Sequence, residues 1–309
     1  MNSTILLIQL LNGVQFGVLL FLIAAGLTLV FGVMGFINLA HGVQYMIGAY
    51  LTFMYYSWTN HFLAALALGL VTALVLGLLL EELIFRHLYT RDHLDQVLAT
   101  FGIILFVNEL VKVIWGPGTL TLPTPEILSG SIQLTENLKY PVYRLALIAI
   151  GLFVALCLYV IVTKTRVGML IRAGASDSET VNALGVNISR LFMIVFGFGA
   201  MLAGLAGALA APIFTIEPGM GDNLLIVAFV VIIIGGIGSI RGAFIAALLV
   251  GVLDTLGRTI ATDAMGLIFD ASAANQIGPS IASMLIYLFM ATILFFKPQG
   301  LFPAQGGAR

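Results

Sequence analysis

Nine apolar runs, separated by short polar breaks, set the pattern of this chain: 5–31, 43–58, 62–85, 96–115, 141–163, 191–211, 224–240, 243–262 and 280–296. A helix needs about 20 apolar residues to cross roughly 30 Å of hydrocarbon. The pattern therefore predicts an all-α, polytopic membrane bundle with about eight to ten membrane segments. Several runs are short or glycine-rich, so the expected set includes broken or re-entrant helices. Such backbone survives only where protein or a water-filled cavity covers it. Two stretches, 31–53 and 232–253, share a rhythm of apolar run, glycine-punctuated break and small-residue helix. That rhythm suggests an internal repeat, and transporter repeats place their sites near such breaks.

Small residues recur every four positions within the runs. Gly13 and Gly17 form one row, Gly199, Ala203 and Gly207 a second, Ala200, Gly204 and Ala208 a third, and Ala243, Ala247 and Gly251 a fourth. Rows of this kind let helix backbones approach closely in lipid, where water supplies no force between helices.

The polar interludes carry the remaining signals. Segment 164–190 is the longest one with clustered basic residues, and it contains a short helix with readable ends. Ser176 and Glu179 have capping-box spacing, Asp177 and Glu179 put negative charge in the first turn, and Gly185 supplies a closing left-handed residue. Val181 and Leu184 lie three apart on one face. Docking on another protein and resting on lipid both fit this helix. In 116–140, Gly116, Pro117, Gly118, Pro123 and Pro125 break any helix, and Ile132 and Leu134 alternate with polar neighbours as in a short strand.

Composition sharpens this picture. Of 309 residues, 61% are hydrophobic and 9% charged, with mean hydropathy +1.12, against about 25% charged in soluble domains. A net charge of −1 offers nucleic acid no electrostatic footprint. Cys157 is the single cysteine, which excludes an intrachain disulfide. The first run follows no basic residue and is longer than a signal-peptide core, so it is expected to stay. Arg86, Arg91, Lys164, Arg166, Arg172, Arg190, Lys297 and Arg309 fall in three regions and make up eight of the thirteen basic residues, with Arg241 as a ninth candidate. The positive-inside rule places these regions in the cytoplasm. Segment 164–190 is then a cytoplasmic loop, 116–140 the main external loop, and the carboxyl terminus cytoplasmic.

Charges within spans demand an account, since one costs about 2.5–3.5 kcal/mol at mid-membrane on insertion scales. Asp254 and Arg258 are four apart, and Glu109 and Lys112 three apart, so each pair can close on one helix face. Both are expected to be structural. Asn38 and His41, with Gly42 and Gln44 beside them, lie at a glycine-flanked break and are the candidate translocation pathway. The plainer reading is that they satisfy opened backbone. His61, His87 and His93 show no metal-ligand clustering. No phosphate loop, zinc-protease or nucleophile-elbow motif occurs, so no catalytic residue and no enzyme activity are expected.

These residues resemble the LivH-type permease subunit of bacterial branched-chain amino acid ABC transporters, over nearly the whole chain. The likeness is carried by Gly26-Leu-Thr-Leu-Val-Phe-Gly-Val-Met-Gly-Phe-Ile-Asn-Leu-Ala-His-Gly42, by Gly235-Gly-Ile-Gly-Ser-Ile-Arg-Gly242 and by Phe296-Lys-Pro-Gln-Gly-Leu-Phe302. The second motif is shared with ribose-type sugar permeases. Glu179-Thr-Val-Asn-Ala-Leu-Gly185 keeps the glutamate-to-glycine spacing of the ABC coupling-helix motif but replaces both alanines. The resemblance implies a single permease domain over 1–309 in the bacterial inner membrane. Ser176, Asp177, Glu179, Val181, Leu184 and Gly185 would couple it to two ATPase subunits that use ATP and Mg, with no cofactor in this chain. A second, LivM-type permease and an extracytoplasmic binding protein complete the implied assembly. Urea, short amides or a sugar as cargo, or an ion-coupled carrier using Asp254 or Glu109, are the alternatives.

Overall fold

The computed structural model describes residues 3–135 and 138–303. Each apolar run forms one helix. In chain order the helices are α1 (Ser3–Met34), α2 (His41–Thr59), α3 (Phe62–Leu83), α4 (His93–Trp115), α5 (Val142–Lys164), α6 (Arg166–Ser176), α7 (Ser178–Ala183), α8 (Ile188–Ala210), α9 (Met220–Gly235), α10 (Ile240–Met265) and α11 (Ala271–Phe296). Only α6 and α7 lie outside the apolar runs. Among the described residues seven helices are long and apolar enough to cross a membrane; the other two apolar ones are α2 and the 16-residue α9. The chain is an all-α, multi-pass membrane protein.

α1 is the central element, with Leu20, Phe21, Leu22 and Ala24 fully buried. The small-residue rows explain how its neighbours reach it. Gly13 faces Val252, and Gly17 faces Ala247 and Gly251, so the rows of α1 and α10 abut in antiparallel register. A Cβ on Gly48 of α2 would meet the backbone of Gly204 on α8. At such contacts dispersion between backbones replaces the hydrophobic force that lipid does not provide.

Tertiary contacts define two ends of the bundle. At one, the backbone N–H of Ile37 donates to Gln96 Oε1 at 3.2 Å, and Phe36 stacks on Phe85 and Tyr89. Gly32 touches Gly238 there, and Leu301 and Phe302 donate to the terminal α9 carbonyls of Ile234 and Gly235. Arg86, Arg91, Lys164, Arg166, Arg172, Arg190, Arg241 and Lys297 all collect at this end. Arg309 lies outside the described residues. At the opposite end, Tyr140 and Arg144 donate to Asn12 Oδ1, and β1 (Ser131–Thr135) pairs antiparallel with β2 (Leu138–Pro141). The alternation at Ile132 and Leu134 is thus a strand. Leu120 exchanges two backbone hydrogen bonds with Ile216, tying the 116–140 segment to the α8–α9 link.

Two helices begin inside the bundle. After Gly35 (φ +63°) the chain folds back along α1, so that His41 reaches the Ile23 carbonyl. That carbonyl lies roughly three turns short of the end of α1. α9 likewise starts in the interior, where Gly221 packs on Gly42. The two glycine breaks of the suggested repeat touch at Gly32 and Gly238, but they lead to different elements: α2 starts deep and α10 starts at the basic end.

Candidate functional site

The link between α5 and α8 forms a compact unit at the basic end. Thr165 caps α6, accepting from the Gly168 N–H at 3.2 Å, and Arg172 donates to the Val162 carbonyl near the end of α5. α6 keeps helical geometry through Ser176, which corrects the expected capping box. Asp177, not Ser176, is the N-cap of α7, with φ −157° and ψ 92°. Its carboxylate accepts the Thr180 N–H at 3.0 Å and the Thr180 hydroxyl as well. These bonds, the hydroxyl first, hold the Asp177 carboxyl below the usual carboxylate range. Because α6 has no residue outside helical geometry until Asp177, Ser176 cannot turn its hydroxyl onto the α7 donors. The helix is accordingly 178–183 rather than 176–185.

Gly185 closes α7 as its spacing predicts. At φ +91° it donates to the Asn182 carbonyl, and Val186 donates to Val181, the paired bonds of a Schellman ending. Val181 and Leu184 do not share a docking face. Val181 is 8% exposed and pins the helix to the bundle, whereas Leu184 is 78% exposed. Three residues span about 300° of helical turn, and α7 ends at Ala183, so Leu184 swings outward. Beside it Glu179, Asn182, Gly185 and Asn187 line an open polar recess of about 680 Å³.

The asparagine–histidine segment is buried deeply. Asn38 and His41 are 0% exposed and Gln44 5%. His41 Nε2 lies 3.1 Å from the Ile23 carbonyl, its ring against Gly26 of α1. Both side-chain amide atoms of Asn38 and of Gln44 lack a partner within hydrogen-bonding geometry among the described residues. Gly42 packs on Gly221 and Leu225 of α9. His41 thus ties α2 to α1, while Asn38 and Gln44 hold unspent hydrogen-bonding capacity.

Both intrahelical ion pairs form. Arg258 holds Asp254 with two bonds of 2.9 Å, and Lys112 reaches Glu109 at 2.6 Å. Sequence reasoning missed a further acid. Asp222, in the first turn of α9, accepts from Asn108 Nδ2 of α4 at 3.4 Å. The run beginning at 224 left it in the preceding loop; the Gly-Asp-Asn triplet directly before that run was the available signal. Among the described residues no group of three or more metal-ligating side chains gathers.

A family model described as branched-chain amino acid transport system / permease component matches residues 9–296. The chain belongs to this permease family. The permease is 30% identical over 307 residues to the high-affinity branched-chain amino acid transport system permease protein BraD of Pseudomonas aeruginosa, covering 95% of this chain and 94% of that protein. To the corresponding permease protein LivH of Escherichia coli K12 it is 32% identical over 275 residues, 80% of this chain and 84% of the relative. The fructose import permease protein FrcC of Rhizobium meliloti matches at 31% over only 40% of this chain and 36% of its own length. No solved structure matches the permease. Near-complete coverage by amino acid permeases, against partial coverage by the sugar permease, places it on the amino acid side of the family.

Proposed function

We propose that the permease is the membrane half of an ATP-driven importer of branched-chain amino acids in the bacterial inner membrane, with its basic end and carboxyl terminus in the cytoplasm. Two ATPase subunits, which bind ATP and Mg, dock on α7 from the cytoplasm. A second, LivM-type permease completes the pathway, and an extracytoplasmic binding protein delivers leucine, isoleucine or valine at the end that carries β1 and β2. Closure of the ATPases moves α7 and switches the bundle between outward-open and inward-open packings.

One observation carries this reading: α7 is capped at both ends, anchored by Val181 and presents Leu184 outward at the basic end. Substituting Leu184→Asp tests it, because a carboxylate buried in the docking surface loses the contact while leaving the anchored face intact. The complex should insert and bind its partners' substrate, yet binding-protein-stimulated ATP hydrolysis should fall by about tenfold or more. Full stimulation in this variant rules α7 out as the coupler. Competition of labelled leucine uptake by valine, but not by urea or fructose, tests the cargo.

A further inference from the structure

Asp222 differs from the paired acids of the bundle in its surroundings. It sits in the first turn of α9, next to Gly221, which packs on Gly42 of α2. The crossing of these two interior helix starts therefore fixes it within the thickness spanned by α1. Asp254 has Arg258, and Glu109 has Lys112. Among the described residues no cation reaches Asp222. Its one polar side-chain contact there is Asn108 Nδ2, and that contact leaves Asn108 Oδ1 buried without a donor. The Asp222 carboxylate is thus held by a single amide donor among the described residues, and it keeps acceptor capacity to spare.

Asp222 itself stays partly exposed. Gly219 (φ +83°) carries no side chain, and a Cβ there would lie 3.3 Å from Asp222 Oδ2. Asn223, the next residue of α9, is exposed at the same depth, where lipid would disfavour it. Toward the end that carries β1 and β2 lies Tyr50, fully buried with its hydroxyl unpartnered, within the electrostatic reach of the exposed Glu217.

We propose that the Asp222 carboxylate, positioned by the Asn108 amide, holds the ammonium group of an α-amino acid as it crosses the bundle. An ammonium carries three N–H donors and no acceptor, which suits a carboxylate with free lone pairs, and its charge offsets the intramembrane carboxylate. A carboxylate would do neither, and a neutral sugar could donate hydroxyls without offsetting the charge. This assignment rests on the amino acid importer reading and adds to it the atoms that recognise one end of the cargo. The aliphatic end needs only the apolar walls.

The experiment uses the complete complex in proteoliposomes, with labelled leucine as the probe. Asp222→Asn keeps shape and removes charge, and should slow uptake by about tenfold or more, the loss of one charge-assisted contact. Adding Asn108→Asp to that variant puts the charge back on the facing position and should restore most of the uptake. Asn108→Leu removes the amide donor that positions the carboxylate and should cost about threefold to tenfold; it serves if Asp222→Asn fails to assemble. Wild-type rates in either single variant overturn the proposal. So does failure of the charge-swapped variant, when folded, to recover, which would leave Asp222 a structural acid. Replacing sodium by choline should change nothing; sodium-dependent uptake that Asp222→Asn abolishes would assign the site to a metal cation instead. If the unaltered complex hydrolyses ATP but imports no amino acid, the importer reading itself fails, and this is seen before any variant is made.

Discussion

Replacing Arg258 by leucine isolates what the pair on α10 does. Both guanidinium bonds to Asp254 are 2.9 Å, but the partners are unequally covered, with 8% of the Asp254 side chain exposed against 47% of Arg258. The variant therefore leaves the deeper partner charged and alone. Breaking a buried pair costs about 3–5 kcal/mol. With nearly half of Arg258 exposed, screening lowers this to about 2–3 kcal/mol, or roughly 3–5 °C in Tm for a chain of this size. Replacing both residues by leucine removes both charges and fills the volume with aliphatic groups, so stability should return to within about 1 kcal/mol of the parent. Thermal unfolding in detergent, paired with leucine uptake by the reconstituted complex, reads both properties. A single variant as stable as the parent would refute the burial argument. A double variant that folds normally but imports nothing would refute the structural role and make Asp254 a coupling acid.

Two further outcomes follow from α7. In a chain with Cys157 replaced by alanine, a cysteine at Leu184 should react with a membrane-impermeant maleimide in inverted vesicles stripped of the ATPase subunits and not in intact cells. A cysteine at the nearly covered Val181 should react at least about tenfold more slowly; the opposite sidedness would turn the basic end outward and end the docking argument. The Asp177 cap should make α7 sensitive to acid. Its folded-state carboxyl is held below the ordinary value, so its contribution is complete above about pH 4 and disappears as pH falls through the lowered value. Hydrogen exchange of the Thr180–Leu184 amides, corrected for intrinsic rates, should show opening rising only in that acid range, and Asp177→Asn should lose the dependence.

The α7 region shows how far local chemistry can be read from a sequence. Gly185 was legible because a left-handed ending depends on one residue and its immediate neighbours. Ser176 and Asp177 were not separable, since both are good caps and the choice depends on where α6 stops, which its packing against α1, α5 and α8 decides. The spacing of Val181 and Leu184 was correct, but which of them the bundle covers is a property of contacts with other helices. Asp222 escaped for the same kind of reason. An acid just before an apolar run looks like a loop residue until the preceding chain is seen to re-enter.

The sequence by itself determined the class of this protein. Nine apolar runs with few charges have no soluble alternative, because each buries its own backbone hydrogen bonds and needs lipid around its side chains. It also determined the intrahelical ion pairs and the glycine ending of α7, all of which act within one helical turn. Only the tertiary structure decided that α2 and α9 start inside the bundle, that α1 is its buried axis and that Asn108 and Asp222 meet. Those facts depend on how close one backbone comes to another, at Gly42 against Gly221 and at Gly17 against Gly251. A small residue permits such an approach without naming its partner, and the partner is chosen by the packing of the whole bundle.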